Sequence, residues 1–82
     1  MRADIGMVGW WYLSFVGESG WLGGCFVRAA EYEEAVAKSY DAGCNPGGQV
    51  SGWGPLAVEI KPGYGDRLLT LEESQTARVE PL

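Results

Sequence analysis

The sequence predicts an α+β domain: a small β-β-α-β-β sheet with one helix packed on one face and a short C-terminal helix. Three observations lead there. Two apolar runs, "GWWYLSFV" (9–16) and "WLGGCFVRA" (21–29), alternate with the period of a strand and flank the glycine-bounded turn "GESG" (17–20). The stretch "AEYEEAVAKSYDAG" (30–43) carries apolar residues at helical spacing. The stretch "AGCNPGGQV" (42–50) then breaks the helix and opens a further strand.

In the first strand Trp11, Leu13 and Phe15 fall on one face, and Trp10, Tyr12, Ser14 and Val16 on the other. Large apolar groups on both faces predict a central strand, or an edge covered by a partner. Gly23 and Gly24 interrupt the second strand and predict a bulge or a close approach, with the ring of Trp11 or Tyr12 over the gap. In the helix, Glu31, Glu33 and Glu34 lie where the dipole favours acids, and Glu34 and Lys38 form an i,i+4 pair. Tyr32, Ala35, Val36, Ser39 and Tyr40 are expected to face the sheet, and Gly43 to close the helix in the left-handed conformation.

Pro46 forbids a restart of the helix, and Gly47 and Gly48 permit a tight turn into the strand "QVSGW" (49–53). That strand could pair beside the first, against its direction, but the sequence leaves the strand order open. "GP" (54–55) punctuates the chain, and "LAVEI" (56–60) alternates as a fourth strand. Thr70 before Glu72 and Glu73 predicts an N-cap for a helix over 71–77. The 82 residues are expected to form a single domain, 1–82, with an N-terminal arm (1–8) and a loose C-terminal tail (78–82).

The hairpin followed by "EEAV" in a helix resembles the core of HicB-type antitoxins over the first half of the chain. The longer pattern "GWWYLSFV…GWLGGCFVRA…EEAV…GCNPGGQV…RLLT" resembles a group of small uncharacterised phage and bacterial proteins. The second resemblance implies a phage accessory protein that disarms host defence by binding something.

Composition narrows the function. A net charge of −5 disfavours nucleic acid, whose phosphates need clustered Lys and Arg. The chain has no histidine, so the commonest general base and zinc ligand is missing. Cys25 and Cys44 lack metal-site spacing, and helix stability is enough to explain the grouped acids. The expectation is therefore a non-enzyme with no metal and no cofactor. No signal-peptide or membrane-spanning pattern is visible, and reduced thiols in the cytoplasm are expected.

A domain this short buries only about 60% of its unfolded surface, so its interior can hardly enclose Trp10, Trp11, Trp21 and Trp53 together. A homo-oligomer, or a ligand against an exposed indole, is expected. Arg28 and Arg67 with Trp21 and Trp53 could stack a base and hold a phosphate. Asn45, Gly47 and Gly48 present backbone N–H groups, although they follow the negative end of a helix, which weakens them as a phosphate cradle. Two readings result. One is a binder that sequesters a nucleotide-like small-molecule signal. The other is an interaction module that blocks a host protein through its aromatic face or its acidic helix.

Overall fold

The computed structural model describes residues 8–78. The elements are β1 (Gly9–Gly17), β2 (Gly20–Ala29), α1 (Tyr32–Asp41), β3 (Gln49–Leu56) and α2 (Leu71–Thr76). They form an α+β fold around a three-stranded antiparallel sheet of order β2-β1-β3. The strand rich in apolar residues on both faces is the central one. The third strand pairs beside the first and runs against it, which settles an order that the sequence left open.

The separate fourth strand over 56–60 does not form. β3 instead continues through Gly54 and Pro55 to Leu56, and residues 57–59 are irregular. An edge strand tolerates proline, because a missing N–H on its outer side breaks no ladder. Ile60 makes only an isolated bridge to Arg78. The expected N-terminal arm and C-terminal tail lie outside the described residues, save that Val8 is exposed and Arg78 is held by that bridge.

One face of the sheet packs under α1. Trp11, Leu13 and Phe15 from β1 join Cys25, Val27 and Ala29 from β2, with Ala35 of α1 and Cys44 below its end. Burying each large side chain here contributes about 1.5–3 kcal/mol. Tyr32, Val36 and Val50 close the rim. Tyr40, expected on this face, is 65% exposed. The chain turns back after α1, where the Cys44 N–H donates to the Ser39 carbonyl, and Cys44 joins the core. The helix begins with a reciprocal brace: the Ala30 N–H donates to Glu34 Oε1, and the Glu31 carbonyl accepts from the Ala35 N–H. The Glu34–Lys38 pair forms at 3.9 Å, and Gly43 closes the turn at φ 76°.

The opposite face is covered by the segment after β3. Phe26, Leu69 and Ala77 are buried there, ringed by Trp10, Tyr12, Leu56, Ile60 and Tyr64. Residues 65–69 run along the outer edge of β2. The Asp66 N–H donates to the Phe26 carbonyl at 2.9 Å, and Gly24 and Leu69 exchange both backbone hydrogen bonds, at 3.2 and 2.7 Å. Gly23 permits this closeness, since a Cβ there would lie 2.7 Å from Leu68 Cδ1 and 3.2 Å from the Leu69 carbonyl. Gly24 makes room for a different neighbour. A Cβ there would lie 2.6 Å from Tyr12 Oη and 2.9 Å from the Leu13 carbonyl. The Tyr12 ring thus lies over the glycine gap. α2 opens with a full capping box: Thr70 Oγ1 accepts from the Glu73 N–H, and Glu73 Oε1 accepts from the Thr70 N–H.

Candidate functional site

The four indoles have different surroundings. Trp11 is 8% exposed, and its Nε1 donates to the Ala29 carbonyl. Trp10 is half-buried, with Gly65 against its ring and the Arg28 guanidinium 5.5 Å from its centroid. Trp21 is 37% exposed, and its Nε1 donates to Ser14 Oγ at 2.8 Å. Trp53 is 54% exposed and stacks on Tyr12, with ring centroids 5.9 Å apart and planes 24° off parallel. Tyr12 is held from its other neighbour by Phe26, at 4.9 Å.

Tyr12 and Trp53 border the open end of the face that the C-terminal segment covers. A cleft of about 320 Å³ there is lined by Tyr12, Leu71, Ser74, Gln75 and Arg78. A second hollow of about 340 Å³, lined by Tyr12, Trp53 and Arg78, shares two of those residues. Leu71, Ser74, Gln75 and Arg78 follow i, i+3, i+4, i+7 spacing, so one face of α2 and its continuation turns toward the rings. Ser74 is 7% exposed, and its Oγ has no hydrogen-bond partner among the described residues. A buried hydroxyl without a partner costs about 1–3 kcal/mol. Arg78 is exposed and makes no ion pair among the described residues.

The residues that the sequence singles out do not form one pocket. Trp21 lies opposite Val16 and Arg28 opposite Trp10, at the two ends of β1, about 20 Å apart at the usual strand rise. Arg28 borders a separate hollow of about 320 Å³ with Trp10, Leu56 and Glu59. Arg67 is engaged locally: its Nε donates to the Gly63 carbonyl, its Nη2 lies 3.2 Å from Glu73 Oε2, and it sits over the Tyr64 ring. Asn45 is a structural brace. Its Oδ1 accepts from the Gly47 N–H at 2.8 Å, and its Nδ2 donates to Ser39 Oγ at 2.9 Å. Gly48 passes close to β1, where a Cβ would lie 2.5 Å from the Val16 carbonyl. The hollow beside Gly48 is lined by Val16, Gly17, Glu18 and Gln49, so its nearest charge is an acid. Only Trp53 of the seven lies in the Tyr12 cleft.

The helical spacing of Leu71, Ser74, Gln75 and Arg78 was the signal in the sequence for the rest of this cleft. The spacing shows that they share a face; it does not show which surface that face meets.

Neither thiol is poised for reaction. Burial pushes the Cys25 thiol far above its ordinary pKa, with the neighbouring Cys44 adding to the shift, and burial also raises Cys44. A thiol held in its neutral form is a poor nucleophile and a poor metal ligand. Among the described residues no three His, Cys, Asp or Glu side chains gather as a metal site, and no helix is long and apolar enough to cross a membrane.

No protein-family profile, curated protein or solved structure matches the chain.

Proposed function

We propose that the chain is a non-enzymatic binding protein that holds a planar, anionic small molecule of nucleotide type in the cleft between Tyr12, Trp53 and α2. The observation that carries this reading is the convergence of an exposed indole stacked on Tyr12 with the Arg78 guanidinium, which makes no ion pair among the described residues, at one hollow. An aromatic ring in the ligand would stack on the open face of Trp53. Arg78 would meet its negative group with charge-assisted hydrogen bonds. Gln75 has both a donor and an acceptor with which to read a ring edge. The lining residues are suited to recognising a molecule rather than activating one. A protein that only holds such a molecule removes it from solution, which is how a phage accessory protein would blunt a host signal.

The test is native mass spectrometry of protein purified from cells, followed by titration with a panel of mononucleotides and cyclic dinucleotides. Trp53→Ala and Arg78→Gln are each expected to weaken binding at least about tenfold, the order lost with one stacked ring or one charge-assisted bond. Their thermal midpoints should stay near the wild-type value, because both side chains are exposed. Wild-type protein that carries no small molecule and binds none of the panel would overturn the reading.

One observation favours a second reading, a module that blocks a host protein. Glu31, Glu33 and Asp41 are exposed along α1, an acidic surface suited to a basic groove. Charge reversal of these three residues would abolish that activity and leave ligand binding intact.

A further inference from the structure

The two edges of the sheet are not equivalent. The outer edge of β2 is satisfied by residues 65–69 of the same chain, through Gly24, Phe26, Asp66 and Leu69. No described segment covers the outer edge of β3. The groups left over on that edge follow from antiparallel alternation. Gly24 and Phe26 turn their backbone groups away from β1, so their partners Ser14 and Tyr12 turn theirs toward β3. Ser51 and Trp53, opposite Ser14 and Tyr12, therefore face β1, and Val50 and Gly52 present their backbone groups outward. The Val50 carbonyl accepts a 3.3 Å hydrogen bond from Tyr32 Oη, which agrees with that direction and leaves its second lone pair open.

We propose that β3 pairs with β3 of a second copy of this chain, antiparallel, about a twofold axis near Gly52, to give a continuous six-stranded sheet. Charge selects a second copy as the occupant. No charged residue lies between Asp41 and Glu59, so the stretch that contains β3 is neutral in a chain of net charge −5. Two acidic molecules meet there without like-charge repulsion, whereas α1 faces would repel one another. β3 also carries none of the lysines or inward charges that natural sheets use to block edge pairing. At the axis the strand has no side chain, and Val50, Gly52 and Gly54 alternate with the residues that face β1. Because β2 is already closed by its own chain, pairing stops at two copies and does not propagate into a filament. Gly52 beside its twin sets Trp53 of each copy opposite the partner's Ser51, on the same face as the Tyr12 cleft.

The dimer does not rest on the ligand reading, and its test needs no ligand. Sedimentation of the full chain over a concentration series should show a monomer–dimer equilibrium with no larger species. Amide hydrogen exchange should show Val50 and Gly52 protected at high concentration and released on dilution, with Tyr12 and Ser14 unchanged. Ser51→Lys puts a cation on the edge strand, diagonally across the axis from its own copy, while leaving an exposed site exposed. It is expected to raise the dimer dissociation constant about tenfold or more without lowering the thermal midpoint of the dilute, monomeric chain. A chain that stays monomeric at every concentration would overturn the proposal. So would a dimer that is indifferent to Ser51→Lys or whose Val50 and Gly52 amides exchange freely.

Discussion

The two faces of the sheet are closed by different means. Under α1, a regular helix lays a periodic stripe on alternate residues of β1 and β2, and the buried cluster is continuous from Trp11 to Phe15. On the other face an irregular chain does the same work with fewer apolar residues. It relies on glycines that allow close approach, Gly23 beneath Leu68 and Gly65 against Trp10, while Gly24 makes room for the Tyr12 ring of β1. The first face needs only periodicity, whereas the second needs particular missing side chains. The second face also stays partly open, and the candidate cleft lies at its margin.

Truncating one buried leucine on each face probes the contrast most strongly. Leu13 is completely buried under α1, and Leu69 is nearly so on the other face. Each truncation to alanine is expected to cost about 2–5 kcal/mol, as large-to-small changes in a core do. The modes of failure should differ. Leu13→Ala weakens the central strand and should lower global stability, with amide exchange rising across β1 and β2 together. Leu69→Ala should release residues 57–78 first, leaving the amides of β1 protected, because that segment is the less regular unit. Equal exchange in both variants would show the two faces to be one cooperative unit.

Gly24→Ala tests the second face alone. The added Cβ would meet Tyr12 Oη, Tyr12 Cε1 and the Leu13 carbonyl, all within 2.9 Å. Crowding of this kind costs about 1–3 kcal/mol. Tyr12→Phe removes the closest of these atoms and should recover part of the loss, but the backbone carbonyl stays in place. Chemical denaturation of the two single variants and the double variant measures that coupling. A neutral Gly24→Ala would mean that the strand absorbs the methyl group, and the close approach would lose its importance.

What was legible in the sequence follows the same division. Period-two alternation identified β1, β2 and the faces of their side chains, and the Thr70 cap was legible from a residue type and its spacing to the acids. "LAVEI" misled because alternation signals burial on one side, not a paired neighbour. Leu56 and Ile60 do reach the second cluster, but residues 57–59 form no ladder. Tyr40 misled for a related reason: helical spacing gives a direction but not how far the sheet extends beneath the last turn, and Tyr40 is exposed there. For the site, Trp53 was legible as an indole too many for the interior. Arg67 was not legible as a partner of Glu73, nor Arg78 as the cation near Trp53, because both depend on how the irregular segment folds back. No local pattern encodes that path.

The smallest expected effect concerns the charge at the start of α2, where the irregular segment becomes regular again. The Thr70 N–H hydrogen bond holds the Glu73 carboxyl below its ordinary pKa, and Arg67 adds to the shift. A carboxylate whose pKa is lowered by folding stabilises the fold above its unfolded value of about 4.3, and that contribution disappears as pH falls through the lower folded value. Glu73→Gln keeps the hydrogen-bonding shape of the capping box and removes the charge. Thermal midpoints of wild type and Glu73→Gln should therefore differ slightly at neutral pH, with wild type higher, and converge as pH falls through the lowered folded value. Because Glu73 is exposed to solvent, added salt should narrow the neutral-pH gap as well. A gap that persists unchanged in acid would assign the difference to shape rather than charge. The anchoring of α2, and with it the placing of Ser74, Gln75 and Arg78, would then depend on the hydrogen bonds of the cap alone.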